Sequence, residues 1–191
     1  LLLAAAAAPV VVSGIPKVIY TTHGPTKGDN WDEYARILRE TNPTFEVKSF
    51  DDEAAAKYVA EAYEGTKLAE VYEKAERPVT KADLFRLAIV AKEGGFYADM
   101  DFLGKADMSD LAATTAAFPL EWYKSEDAFR ERHLAEPRDD AERWQIGNYI
   151  FASEAGHALV VDALDEATER AAALEGRDVS DLDVLRSTGP Y

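Results

Sequence analysis

The stretch Thr80-Lys81-Ala82-Asp83-Leu84-Phe85-Arg86 and on to Lys92, followed by Gly94-Gly95-Phe96-Tyr97-Ala98-Asp99-Met100-Asp101-Phe102, decides how this chain folds. Its first part places apolar residues at Leu84, Phe85, Ala88, Ile89 and Ala91, the spacing of a helix with a broad apolar face. Gly94-Gly95 ends that helix, because glycine enters the left-handed conformation of a helix terminus without a steric penalty. Phe96 to Phe102 then reads as a strand carrying acids on one side. A helix that passes through a tight turn into a strand is half of a layered α/β unit.

Reading outward extends the pattern. Ile15-Pro16-Lys17-Val18-Ile19-Tyr20 is a β-branched and aromatic run bounded by Gly14 and by Gly24-Pro25, a strand opening into a loop. Trp31 to Glu40 has helical spacing and stops at Asn42-Pro43, and Phe45 to Lys48 alternates as a second strand. Asp51-Asp52-Glu53 precede an Ala-rich helix that runs to about Tyr63. Acids at that position serve as cap and dipole partners in preference to a metal cluster. Leu68 to Ala75 forms a short helix closed by Arg77-Pro78. Residues 104 to 143 are charged and without clear period, Gln145 to Phe151 reads as a strand, and Gly156 to Leu174 as a long helix. Strands alternating with helices predict an α/β domain with a mainly parallel central sheet flanked by helices. Such sheets bind ligands beyond the carboxyl ends of their strands, where Asp99 and Asp101 fall.

The bulk composition narrows the classes of function. With 191 residues, 47% hydrophobic and 30% charged, the chain is expected to form one soluble domain. A net charge of −15 argues against a nucleic-acid surface, which needs a basic patch. The absence of cysteine excludes a disulfide framework, a thiolate zinc site and a cysteine nucleophile. Residues 1–13 are an apolar leader, shorter than the about 20 residues that span a bilayer. They read either as the remnant of a signal peptide or signal anchor, or as a plain Ala-rich segment. No Walker loop, nucleophile elbow, dinucleotide fingerprint or His-Glu-x-x-His is present.

The Asp-x-Asp carries chemistry through strand geometry. Side chains at i and i+2 share a face, so Tyr97, Asp99 and Asp101 line up while Ala98 and Met100 face the core. Two carboxylates about 7 Å apart on one face repel unless a cation sits between them, and hard oxygens with substrate phosphates are the usual setting for Mg²⁺ or Mn²⁺. Asp-x-Asp alone is a weak signal, as the near miss Asp107-Met108-Ser109-Asp110 shows. His23, His133 and His157 stand apart from one another and read as surface or packing residues.

Taken with its surroundings, the motif becomes specific. Ala82-Asp83-x-x-Arg86, Gly94-Gly95-x-Tyr97 and Asp99-x-Asp101, in this order and spacing, resemble glycosyltransferase family 32, the α-mannosyltransferases of the fungal Golgi and their relatives. The clostridial glucosylating toxins are more distantly similar. Ile15 to Ile19, Asn42-Pro43 with Phe45-Glu46-Val47 and Asp51-Asp52, Gln145 to Ser153 with Gly156-His157, and Ser187-Thr188-Gly189-Pro190 continue the likeness over residues 14 to 190.

The resemblance implies a GT-A-like nucleotide-diphospho-sugar transferase fold over residues 14–191, C-terminally incomplete because relatives continue past the Thr-Gly-Pro. It implies a metal-dependent retaining transfer of a hexose, mannose favoured, from GDP-mannose or a UDP-sugar to a glycan or glycolipid hydroxyl, with Mn²⁺ or Mg²⁺ and no nucleic acid. Asp99 and Asp101 would hold the metal and, with Arg86, be the catalytic residues, with Asp99 also meeting the donor ribose. Asp83 would hold donor hydroxyls, and Arg86 would reach the sugar or its phosphate through its planar fork. Asp83 also has a structural reading, as the acid of a capping box begun by Thr80. Gly94 and Gly95 would let the chain approach a ligand, or would simply end the helix. Tyr20, Thr21 and Thr22 would lie near the base, although Tyr20-Thr21-Thr22-His23 stands where many relatives carry His-Gln-x-Trp. Gly95, Tyr97 and Asn148, the last on a strand that resembles the acceptor-side wall, complete the donor-binding set. Fungal relatives imply a Golgi lumenal protein with a type II membrane anchor, and bacterial relatives a cytoplasmic one. A non-catalytic sugar-nucleotide or glycan-binding domain and a metal-dependent phosphate-ester hydrolase are the other classes compatible with these acids. A glycosidase carboxylate pair leaves Arg86 and the glycines unexplained.

Overall fold

The computed structural model describes residues 14–24, 31–100, 106–122, 144–177, 180, 184 and 188, with backbone only at 121, 122, 144 and 145. The leader 1–13, Asp101, Phe102 and His133 lie outside the described residues. Seven strands and five helices follow in the order β1 (Val18–Thr22), α1 (Trp31–Thr41), β2 (Glu46–Phe50), α2 (Asp52–Ala62), α3 (Lys67–Lys74), α4 (Pro78–Glu93), β3 (Gly95–Ala98), β4 (Ala116–Ala117), β5 (Leu120–Trp122), β6 (Trp144–Ile146), β7 (Ile150–Ser153) and α5 (Ala158–Ala172) among the described residues. The main sheet has the order β2-β1-β3-β7-β4. β1 runs parallel to both β2 and β3, while β7 is antiparallel to β3 and β4. Four strands therefore point one way and β7 the other, the mainly parallel α/β sheet expected from the sequence. β5 and β6 form a separate antiparallel ribbon.

Alternation along the central strands divides the core in two. Tyr20, Tyr97 and Phe151 face one side of the sheet and pack with Leu84, Phe85, Ala88 and Ile89 of α4. Ile19, Phe96, Ala98 and Ala152 face the other, against Phe45, Met108 and Ala112. α4 lies so deep that all residues from Leu84 to Ala91 are buried, Arg86 among them. Each large apolar side chain buried there stabilises the fold by about 1.5–3 kcal/mol. Among the described residues, no helix is long and apolar enough to cross a membrane.

Several local expectations are adjusted. α4 starts at Pro78 with Arg77 at the N-cap, because proline at the first helical turn sacrifices no helical hydrogen bond. Thr80 therefore sits inside the helix and caps nothing, which removes the capping-box reading of Asp83. At the start of α2 the acid does cap: the Asp51 side chain accepts from the Ala54 amide at 2.7 Å. β3 ends at Ala98, so Asp99 lies just past the strand. The run from Gln145 to Phe151 breaks at Gly147-Asn148-Tyr149 into β6 and β7, which belong to different sheets.

Candidate functional site

Helix and strand lengths decide which side chains meet. Arg86 precedes Gly94 by eight residues, about 12 Å of helix, and Asp99 follows Gly95 by four, about 13 Å of strand. Because α4 returns into β3 through the glycine turn, these equal lengths bring Arg86 back beside Asp99 at the carboxyl end of the strand. Asp83 lies one turn earlier on the same helical face.

At this end of the sheet the polar groups form one connected cluster. Arg86 Nη2 lies 3.1 Å from Asp83 Oδ1 and 3.2 Å from Asp99 Oδ1. Nη1 donates to the Asn148 backbone carbonyl at 2.9 Å, and the guanidinium stacks 5.1 Å from the Tyr97 ring centre. Thr188 donates its hydroxyl to Asp83 Oδ2 at 2.8 Å. The Asn148 amide donates to Asp83 Oδ1 at 3.3 Å and to the Thr188 carbonyl at 3.4 Å. On the other flank the Tyr97 hydroxyl donates to Asp99 Oδ1 at 3.0 Å and lies 2.9 Å from Thr22 Oγ1. The backbone amide of Asp99 is tied to the Tyr149 carbonyl at 2.8 Å. Arg86 Nε is buried without a hydrogen-bond partner.

Burial shapes the charges here. Removal from water pushes the Asp83 carboxyl up to about 6, while Arg86, Thr188 and Asn148 pull it down and Asp99 pushes it further up. Burial works against the Arg86 charge, but Tyr97, Asp83 and Asp99 outweigh it, so the guanidinium is held cationic. The Tyr97 phenol is raised well above its ordinary value, chiefly by its complete burial. At neutral pH the cluster therefore holds the Arg86 cation and an ionised Asp83.

The structure thus brings Asp83, Arg86, Tyr97, Asp99 and Asn148 together. Arg86 is interior, with its side chain 8% exposed, and it braces the two carboxylates from within instead of projecting into open space. Tyr97 is fully buried, so the face it shares with Asp99 is core up to the phenol and polar only beyond it. Tyr20 lies elsewhere: it packs in the core near Phe50, and burial and then Glu93 push its hydroxyl up to about 12. Thr21 is buried on the opposite face of β1, with a hydroxyl that bonds nothing.

Gly95 stands at the far end of β3 from Asp99. Its φ is +107°, and a Cβ there would come within 3.0 Å of Tyr20 Cε2 and the Val18 carbonyl oxygen. Its glycine character serves packing at the end away from the acids. Of two further members of the cluster, Thr22 is placed near the donor base by the family likeness, whereas Thr188 has no local signal as a site residue. Thr22 meets the cluster through the Tyr97 hydroxyl, and Thr188, within the likeness at Ser187 to Pro190, through Asp83.

The donor set can be tested against a divalent cation. Mg²⁺ and Mn²⁺ bind hard oxygens, and one or two carboxylates with substrate phosphates suffice. Asp99 offers such an oxygen, its side chain 27% exposed at the strand end. Asp83 is 6% exposed and already accepts from three partners, so it is unsuited to ligation. Among the described residues, no three His, Asp or Glu side chains converge as a metal cage. The set fits a cation held by Asp99, with Asp101 added by the motif and the remaining positions filled by substrate.

Known proteins resemble this chain in sequence and in fold. Residues 28–118 match the family model described as "Glycosyltransferase sugar-binding region containing DXD motif". A stretch of 90 residues is 30% identical to the initiation-specific alpha-1,6-mannosyltransferase of Schizosaccharomyces pombe, covering 46% of this chain and 23% of that protein. Two solved structures share the fold. PaToxG glycosyltransferase superposes with a TM-score of 0.67 at 17% identity, over 93% of this chain and 66% of that one. The ligand-free glycosyltransferase domain from the YGT toxin gives 0.53 at 10% identity, over 88% and 65%. The chain thus spans less than a quarter of the mannosyltransferase and about two thirds of each solved structure.

Proposed function

We propose that this chain, whose residues 28–118 match the glycosyltransferase sugar-binding region containing a DXD motif, belongs to that family and transfers a hexose from a nucleotide-sugar donor to a glycan hydroxyl with the help of a divalent cation. The observation that carries this reading is the state of Asp99. It is a partly exposed carboxylate at the carboxyl end of a central strand, fixed by its own backbone amide, by the Tyr97 phenol and by the Arg86 guanidinium. Ligands of open α/β sheets bind at this place.

Asp99 and Asp101 would hold Mn²⁺ or Mg²⁺, which when bound offsets the charge that builds on the departing nucleoside diphosphate. The chain's own residues then act as follows. Tyr97 and Arg86 keep the Asp99 carboxylate in one orientation, so little reorganisation accompanies ligand binding. Asp83 holds Arg86 cationic and in place, and Asn148 closes the cluster on the side of β7. A mannosyl donor is favoured by the 30% identity to a mannosyltransferase, and UDP-sugars are the alternative. Residues 14–191 would form the glycosyltransferase catalytic domain.

Calorimetric titration with GDP-mannose, UDP-glucose and UDP-N-acetylglucosamine, each with and without Mn²⁺, tests the reading. One donor is expected to bind, and only with metal. Failure of all three in the presence of Mn²⁺ would refute donor binding, and turnover of a nucleotide-free phosphate ester would favour a hydrolase.

A further inference from the structure

Asp99 is held from two sides, and one of them leads out of the motif altogether. β1 and β3 pair in parallel with Tyr20 beside Tyr97. Thr22 lies two residues past Tyr20 and Asp99 two past Tyr97, with Thr22 on the same face of the sheet as the Tyr97 ring. The phenol reaches up between them: Thr22 Oγ1 lies 2.9 Å from its oxygen, and the phenol in turn lies 3.0 Å from Asp99 Oδ1.

Proton counting makes this arrangement directional. A phenol has one proton and a hydroxyl one, while an ionised carboxylate only accepts. The Tyr97 proton is committed to Asp99, so Thr22 must be the donor to the Tyr97 oxygen. A phenol oxygen with a bound donor cannot turn its proton elsewhere without losing that bond. The ring is fixed as well: Tyr97 is 0% exposed, Arg86 stacks on it, and Phe151 packs 6.1 Å away. Only the hydroxyl rotor remains free, and Thr22 pins it.

We propose that Thr22 is a positioning residue for the transfer reaction: through the Tyr97 hydroxyl it fixes the Asp99 carboxylate in the orientation that receives the cation and the donor diphosphate. The inference rests on the function proposed above and adds a residue outside the Asp-x-Asp motif to it. Thr22 touches neither cation nor donor in this role. Its hydroxyl matters only while the Tyr97 hydroxyl is present to relay it.

That dependence supplies the test. Mn²⁺ affinity is measured by electron paramagnetic resonance in the presence of GDP and, separately, of UDP. The proteins are the wild type, Thr22→Val, Thr22→Ser, Tyr97→Phe and the double variant Thr22→Val/Tyr97→Phe. Thr22→Val keeps the shape and removes the hydroxyl, and should weaken Mn²⁺ binding about fivefold, the loss expected for one hydrogen bond. Thr22→Ser should restore the affinity to within about twofold, well inside that single-bond loss.

In the Tyr97→Phe background, Thr22→Val should cost nothing further, because residues acting through one bond are non-additive. A merely structural threonine would give the same loss in both backgrounds, which overturns the relay. Wild-type affinity in Thr22→Val also overturns it. If Thr22→Val does not fold, the comparison rests on Thr22→Ser and Tyr97→Phe, and a Tyr97→Phe protein with unchanged Mn²⁺ affinity overturns the relay at its centre. A wild-type protein that binds Mn²⁺ with neither nucleotide refutes the proposed function itself, a result distinct from every variant comparison.

Discussion

Replacing Arg86 by Met removes the cation that bridges Asp83 and Asp99, and the cost can be worked from the exposures of the two carboxylates. Asp99 is 27% exposed and can recover water, but Asp83 is 6% exposed and cannot. Even with Arg86 present, burial lifts Asp83 from 3.8 to about 6, a folding penalty of roughly 3 kcal/mol above that pH. Breaking a buried pair by removing one partner typically costs about 3–5 kcal/mol, and here most of it falls on Asp83. Its folded pKa rises further without Arg86, so the variant's deficit grows as pH rises past about 6, where the wild-type carboxyl ionises. Below that pH both folded proteins carry a neutral Asp83 and the two should converge. Urea unfolding at pH 5 and pH 8 measures the difference, with Asp83→Asn/Arg86→Met as the control. The double variant should regain most of the loss at pH 8, because it no longer buries an unpaired charge. A deficit at pH 8 under about 1 kcal/mol, the size of a surface pair, would refute the reasoning. So would a double variant no better than Arg86→Met.

Asp83→Asn alone bears on the same linkage from the other side. Its raised folded pKa means that wild-type stability falls as pH rises from about 4 to about 6 through this group, and the difference between the two proteins in urea midpoint should shift in the variant's favour over that window. Gly94→Ala should lower stability by roughly 2–4 kcal/mol, since φ is +67° and the new Cβ would stand 2.7 Å from the Ala155 amide nitrogen; a thermal midpoint within a degree of wild type would contradict the packing argument. Asp101→Ala is expected to abolish Mn²⁺-dependent donor binding, and calorimetry that finds metal-dependent binding unchanged would remove Asp101 from the site.

Much of this arrangement was legible in the sequence because it is local or periodic. The apolar spacing of α4, the glycine turn and the alternation of β3 are short-range patterns, and together they place Arg86 and Asp99 at one end of the sheet. Other features depend on what comes from far away. An arginine and an aspartate in a helix ordinarily read as solvent-facing, and it is tertiary packing, with Asn148 and Thr188 closing on the pair, that makes Asp83 and Arg86 interior. Thr22 lies 75 residues from the tyrosine it meets, joined by a strand register that no local pattern encodes. Tyr20 is implied near the donor base by the family likeness, yet alternation turns it toward the core with Tyr97 and Phe151. Thr80 looked like a cap until Pro78 moved the helix start upstream.

The buried polar row on α4 is where local rules and tertiary structure disagree, and that disagreement carries meaning. Asp83 and Arg86 occupy buried positions in a run with Leu84, Phe85, Leu87 and Ala88, where apolar side chains of similar volume would avoid desolvating two charges. Replacement of buried ion pairs by such residues is often neutral or stabilising, so stability alone gives no reason for them to be there. What the pair does provide is geometric. Arg86 ties α4 to Asp99 and to the Asn148 carbonyl of the β6–β7 bend, and Asp83 ties the same guanidinium to Thr188. Four segments distant in sequence are thereby fixed around one partly exposed carboxylate, which is what a site must do to hold a ligand group in position. The stability given up by burying the pair is the counterpart of that rigidity. An all-apolar version of the row, Asp83→Leu/Arg86→Met, should therefore unfold at no lower urea concentration than the wild type while losing Mn²⁺-dependent donor binding. A variant that kept that binding would show that Asp99 needs no internal brace.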